Sequence, residues 1–125
     1  MVRFQRAASD EEFAQYLDEY GRVLEAEARF GTVFVTAPNL PMPPGRHVRM
    51  QAHFLKTHTE LVAERLVGAA FSLPSPLMRG VVRAILMLQP MLCPQTVVET
   101  EAEGVAWVKA RLWTDHVRRM KSATT

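Results

Sequence analysis

The chain has few of the residues that build cross-linked proteins or phosphate-binding loops. It contains a single cysteine, Cys93, so no disulfide can form within it. Low cysteine use of this kind is typical of proteins from a reducing cytoplasm, and we expect a cytoplasmic protein. The six glycines are scattered along the sequence, which excludes a glycine-rich loop of the kind that cradles a nucleotide phosphate.

Long uninterrupted hydrophobic runs are also absent. The most apolar stretch, Leu66–Leu92, is interrupted by three prolines and two arginines, at Pro74, Pro76, Pro90, Arg79 and Arg83. A helix that spans a membrane needs about 20 predominantly apolar residues in succession. The first residues, MVRFQRAASDEEF, lack the apolar run of a signal peptide. We therefore predict no membrane insertion.

Strong net charge is missing too. The chain has 15 basic and 13 acidic residues, for a formal charge of +2, which gives no electrostatic reason to expect nucleic acid as a partner. Hydrophobic residues make up 48% and charged residues 22% of the sequence, as in ordinary globular proteins. This length predicts one domain, over 1–121, followed by a flexible tail over 122–125.

The first half of the chain alternates between strand and helix patterns. Residues 2–6 alternate apolar and polar side chains, as in a short strand. Ser9 and Glu12 form a capping box at the start of a helix predicted to reach about Ala28. The β-branched and aromatic segment 30–36 predicts a buried strand. The loop that follows, Pro38–Pro44, contains four prolines and is expected to be extended.

The second half continues the same alternation. A second capping box, Thr100 with Glu103, opens the last helix. The predicted elements are a helix over 46–65, a strand over 66–72, a helix over 76–89, a strand over 95–99 and a helix over 101–121. This order predicts an α/β fold with a four-stranded, mostly parallel sheet and alternating helices.

The element order and several local segments resemble the STAS domain, the fold of the anti-sigma-factor antagonists, and especially their uncharacterised bacterial SpoIIAA-like relatives. The matching segments are SDEEFAQYL, GTVFVTA, GRHVRMQAHFLK, LVGAAFSLPSPLMRGVVRAI and TEAEGVAWVKARL. The resemblance covers residues 4–113 and implies a non-catalytic regulatory module in the cytoplasm.

The chain departs from the STAS antagonists in two places. They begin with two strands, whereas one predicted strand precedes the first helix here. They also carry a phosphorylatable serine after the central strand, where this chain has Met42-Pro43-Pro44-Gly45-Arg46 with no hydroxyl group. The serine phosphoswitch is therefore not carried over.

The helix predicted over 76–89 is apolar on almost every side. One sheet face can cover only part of such a helix, so we expect a second surface against it. The candidate interface residues are Leu77, Met78, Val81, Val82, Ile85, Leu86 and Met91. Gly80 and Ala84, four residues apart, would let another backbone approach. The expected partner is a second copy of the chain or another protein, unless the last helix or the Pro38–Pro44 loop folds across this surface.

Three arginines are candidates for an anion or partner site. Arg46 and Arg49 lie at the start of one predicted helix and Arg79 in the first turn of another, where a cation opposes the helix dipole. Helix starts at the carboxyl edge of a parallel sheet are common ligand sites. The alternative is that these arginines are ordinary surface residues.

No constellation of residues predicts catalysis or metal binding. His47, His53 and His58 are six and five residues apart, whereas zinc-binding helices place ligands three or four apart. Ser75 before Pro76 is explained as a helix cap, and Cys93 as a small buried side chain. We expect no cofactor.

The sequence therefore favours a non-enzymatic binding module that acts through its apolar helix and self-associates. The alternative is a carrier or sensor of a small ligand. Such a protein would hold an apolar ligand between the apolar helix and the sheet, and bind an anionic head group through Arg46, Arg49 or Arg79.

Overall fold

A computed structural model describes residues 2–4, 8–26, 29–37, 44–88 and 93–124. Strands and helices alternate along them almost without exception. The strands are β1 (Val2–Phe4), β2 (Phe30–Thr36), β3 (Leu66–Ser72) and β4 (Gln95–Val98). The helices are α1 (Asp10–Ala26), α2 (Gly45–Thr57), α3 (Thr59–Arg65), α4 (Pro76–Leu88) and α5 (Glu101–Thr124).

The strands of the described residues form one sheet in the order β1-β2-β3-β4, and every neighbouring pair is parallel. Val2 pairs with Phe34, and Ala70 pairs with both Val33 and Thr96. The predicted α/β class with a four-stranded sheet is confirmed, and the sheet is parallel throughout rather than mostly so.

The central strands are buried because helices cover both faces of the sheet. In β3, six of seven residues are buried, and β2 buries its three middle residues, Thr32, Val33 and Phe34. The absence of polar alternation in these two strands predicts this burial.

Successive residues of β2 belong to two different cores. Phe34 packs in a cluster with Leu24 of α1 and Phe54 of α2. Val33 packs instead with Val108 of α5. Each crossover advances one strand in the same direction, so right-handed connections place α1 to α4 on one face of the sheet. Of the described helices, α5 packs on the other face.

Two strand glycines allow α5 to lie close to the sheet. A Cβ atom built on Gly31 would lie 2.4 Å from Cγ1 of Val108, and one on Gly68 would lie 3.0 Å from the Trp107 ring. Side chains at these positions would push the helix away, so α5 depends on both glycines for its packing.

The single helix predicted over 46–65 is wrong, because the structure breaks it at His58. Hydroxyl side chains flank the break and bond to carbonyls of the preceding turn. Thr57 Oγ1 donates to the His53 carbonyl at 2.9 Å, and Thr59 Oγ1 donates to the Leu55 carbonyl at 3.0 Å. Such bonds compete with the helix backbone and bend it. His58 itself stacks on Phe54, with ring centroids 4.2 Å apart.

Other predicted boundaries differ by a few residues. Residues 122–124, which the sequence assigns to a flexible tail, continue α5 to Thr124, and β4 ends at Val98. The predicted ends at residues 5–6, Ala28 and 89 lie outside the described residues, as do the loop residues 38–43.

Candidate functional site

Helix α4 begins as its sequence predicts. The Ser75 hydroxyl accepts a hydrogen bond from the Met78 amide at 3.3 Å, and the Ser75 carbonyl accepts one from the Arg79 amide at 3.0 Å. Pro76 occupies the first helical position, where its missing N–H costs nothing. Ser75 is therefore a helix cap, as predicted.

None of the described side chains of α4, over 76–87, is buried. Three large apolar side chains are exposed: Leu77 is 77% exposed, Ile85 45% and Met87 84%. A Cβ built on Gly80 would meet no atom within 4 Å, and Ala84, one turn later, is exposed as well. The helix thus carries an apolar surface that the described part of the protein does not cover.

The predicted interface residues divide into two groups. Leu77 and Ile85 are exposed. The half-buried residues are Met78, Val81, Val82 and Leu86. Met91 lies outside the described residues. Met87, which is not among the predicted interface residues, is the most exposed apolar side chain of α4 over 76–87.

The two arginines of α4 bind backbone carbonyls of the domain. Arg79 Nη1 donates to the carbonyls of Leu73 and Pro74, at 2.8 and 3.0 Å. Arg83 Nη2 donates at 3.4 Å to the carbonyl of Val97 in the edge strand β4. Arg79 therefore stabilises the turn before α4. Arg83 places a cation at the free edge of the sheet, where charge discourages pairing with a further strand.

Arg46 is held in an ion pair at the carboxyl edge of the sheet. Its Nε donates to Oδ1 of Asp10 at 2.5 Å, and Nε2 of the buried His47 lies 2.9 Å from the same oxygen. The His47 ring stacks on Phe13, with centroids 4.5 Å apart. These hydrogen bonds, that of Arg46 above all, lower the pKa of the Asp10 carboxyl.

The three predicted anion-binding arginines do not form one ready site. Arg46 is neutralised by Asp10, and Arg79 is committed to two carbonyls. Arg49 is exposed on α2, with Nη1 3.4 Å from the Cβ position of Gly45. An anion at this edge would have to compete with Asp10 for Arg46.

A cavity of about 680 Å³ lies between α1, β1 and β2. Its walls are mainly aromatic and aliphatic, with Arg3, Glu12 and Glu19 among the lining residues. Its apolar lining includes Phe4, Phe13, Tyr16, Tyr20, Val23 and Phe30. None of Arg46, Arg49 and Arg79 lines it, so this is not the predicted pocket beside α4. No sequence pattern marks this cavity, because its walls are ordinary core-facing residues.

Two tyrosines of the cavity are hydrogen-bonded inside the fold. The Tyr20 hydroxyl lies 2.8 Å from Oγ1 of Thr32. Burial raises the pKa of Tyr20 to about 12 and raises that of Tyr16 further. Both phenols are therefore neutral at physiological pH, and their hydroxyls are polar groups in an otherwise apolar wall.

The single cysteine, Cys93, lies in surroundings that do not favour a nucleophile. Cys93 is buried in the main core, and burial raises the pKa of its thiol to about 11, which disfavours the reactive thiolate. Within the described ranges, no three His, Cys, Asp or Glu side chains are placed to hold a metal ion. No helix of the described residues is long and apolar enough to cross a membrane.

Comparison of the chain with known protein families, with curated proteins and with solved structures finds no match. The site therefore has to be interpreted from its own geometry.

Proposed function

We propose that this chain is a STAS-like, non-enzymatic binding module of the cytoplasm that pairs with a second copy of itself through α4. The observation that carries the proposal is the exposure of the apolar side chains of α4. Apolar patches of more than a few hundred Å² are rare on proteins that remain monomeric.

A second copy fits this surface better than an unlike partner. Arg79 and Arg83 are the only charged residues of α4, so the face has little charge pattern with which to select a different protein. A two-fold axis would set α4 against α4, and self-complementary contacts of this kind are the commonest form of assembly. Gly80 and Ala84 on both copies would let the two helix backbones approach closely.

Light scattering tests the proposal. The wild-type chain should have twice its monomer mass of 14.1 kDa, and Ile85→Glu should return it to the monomer mass. Val48→Glu is a matched control, because Val48 is a similarly exposed aliphatic residue, at 51%, on α2. A wild-type chain that remains monomeric at high concentration would refute self-association.

The cavity supports a second candidate function, a carrier or sensor of a small apolar ligand. It is of a volume typical of small-molecule sites. Native mass spectrometry should then release a bound lipid-like molecule, and a medium-chain fatty acid should raise the melting temperature. Val23→Glu, at the cavity wall, should remove that effect, and Val48→Glu should not. An empty spectrum with no thermal shift would exclude this function.

A further inference from the structure

The outer face of α5 carries an apolar stripe that runs for more than three turns. Its residues are Ala106, Ala110, Trp113, Val117 and Met120, spaced alternately by four and three positions, so they lie along one side of the helix. Trp113 is 68% and Met120 55% exposed. The opposite side of α5 contains Gly104 and Val108, which are buried against the sheet.

Two lysines, Lys109 and Lys121, border this stripe. The arginines of α5 lie on the sides of the helix nearer the sheet, where Arg111 stacks on Trp107. Beyond Glu103, the described part of α5 contains five basic residues and one acidic residue. The basic residues are Lys109, Arg111, Arg118, Arg119 and Lys121. The acidic residue is Asp115, and its carboxylate is bound by Arg29, whose Nε and Nη2 donate at 2.8 and 2.6 Å. The domain thus neutralises the one negative charge, and this part of α5 carries an excess of positive charge.

The position of α5 leaves most of the stripe accessible, since four of its residues are exposed and Val117 is half-buried. Of the described helices, α5 packs on one face of the sheet, and the crossover helices belong to the other face. The stripe therefore points away from the domain. A flat surface could meet it without a clash from α4, so self-association through α4 and contact through α5 do not compete.

We propose that the outer face of α5 binds the surface of an anionic lipid bilayer. An apolar stripe with a tryptophan, bordered by basic residues, is the pattern of helices that lie in the membrane interface. Basic residues near such a surface are attracted to acidic lipids. Nucleic acid fits this helix less well, because the centre of its outer face is apolar and offers no cation to a phosphate.

Vesicle sedimentation with the full chain tests this inference. Binding is expected to vesicles of equal parts phosphatidylglycerol and phosphatidylcholine, to weaken with added salt, and to be absent with phosphatidylcholine alone. In a Trp107→Phe chain, Trp113 is the one tryptophan left, and its emission should shift to the blue on binding.

Two variants and a control separate the stripe from general charge effects. Trp113→Glu and Met120→Glu should each weaken vesicle binding by about tenfold. Val48→Glu makes the same charge change on α2, at a residue 51% exposed that lies outside both α4 and α5, and should leave vesicle binding intact. Circular dichroism of each variant verifies folding.

Three outcomes would overturn the inference. One is equal binding to neutral and anionic vesicles, or binding to neither. Another is an equal loss with Val48→Glu. The third is tight, salt-sensitive binding of duplex DNA by the wild-type chain without binding to vesicles, which would assign the cations to nucleic acid. Failure of α4 pairing in light scattering leaves these readouts unchanged, so the two proposals fail separately.

Discussion

Helices α1 and α4 occupy equivalent places in the fold, since each connects two neighbouring parallel strands, but they differ sharply in burial. Helix α1 buries Phe13, Leu17, Gly21 and Leu24, spaced four, four and three residues apart. Helix α4 buries none of its described side chains. The two helices therefore have equivalent positions in the fold, but α1 buries one side in the core and α4 leaves apolar side chains unburied.

The difference follows from composition. Helix α1 alternates its buried positions with charged ones and has three acidic residues in its first turn. Helix α4 has only Arg79 and Arg83 as charged residues, and apolar or small side chains elsewhere. A helix with one apolar stripe is satisfied by one sheet face, whereas a helix that is apolar all round needs cover on further sides. The uncovered sides of α4 are where we expect association.

The largest expected difference between the two helices is the response to leucine truncation. Leu24 is fully buried and Leu77 is 77% exposed. Leu24→Ala should lower the free energy of unfolding by about 2–5 kcal/mol, because it leaves a cavity in the core. Leu77→Ala should change it by less than about 0.5 kcal/mol. Urea denaturation at low protein concentration measures both, and equal losses would mean that α4 is packed as tightly as α1.

The next contrast is the free space around one glycine in each helix, Gly21 in α1 and Gly80 in α4. A Cβ at Gly21 would already lie 3.5 Å from the Phe54 ring, whereas Gly80 has nothing within 4 Å. Gly21→Leu should therefore cost about 1–3 kcal/mol through overpacking. Gly80→Leu should raise monomer stability by about 0.5–1 kcal/mol, because glycine is a poor helix former.

Thermal melts compare the two leucine variants, with Gly21→Ala and Gly80→Ala as controls that add only one methyl group. At a protein concentration at which the chain is monomeric, a melting temperature lowered by Gly80→Leu but not by Gly80→Ala would show that α4 is covered in the monomer.

The smallest contrast concerns the two helix caps. Ser9 takes part in a reciprocal box: its hydroxyl accepts from the Glu12 amide, and its own amide donates to the Glu12 carboxylate, both at 3.1 Å. Ser75 makes one side-chain bond, at 3.3 Å. Ser9→Ala should lower the free energy of unfolding by about 1 kcal/mol and Ser75→Ala by about 0.5 kcal/mol. Chemical denaturation of both variants checks the order, and the reverse order would contradict it.

Interactions between near neighbours in sequence were predictable. The predicted caps at Ser9, Thr100 and Ser75 link residues three positions apart, and all three hydroxyls accept the expected amide bond. The reciprocal box is complete at Ser9, whereas the Glu103 carboxylate bonds the Thr100 hydroxyl and not its amide. The alternation of strands and helices was equally accessible, because hydrophobic periodicity depends on local spacing. The break at His58 was missed, since no proline or glycine marks it.

Interactions between distant residues were not predictable. Asp10 and Arg46 lie 36 positions apart, and Arg29 and Asp115 lie 86 apart. Pairing over such separations depends on strand order and helix orientation, which periodicity does not encode. For this reason the sequence treated Arg46 as available for an anion, and in the fold it is bound to Asp10.

The apolar excess of α4 is a property of its own residues, so the sequence by itself determined that this helix needs cover. The tertiary structure decided which surfaces remain open. It set α1 to α3 against one face of the sheet, gave the other face to α5, and placed Leu77 and Met87 in solvent. The physical reason is that burial is a relation between distant segments, whereas hydrophobicity and helix caps belong to the segments themselves.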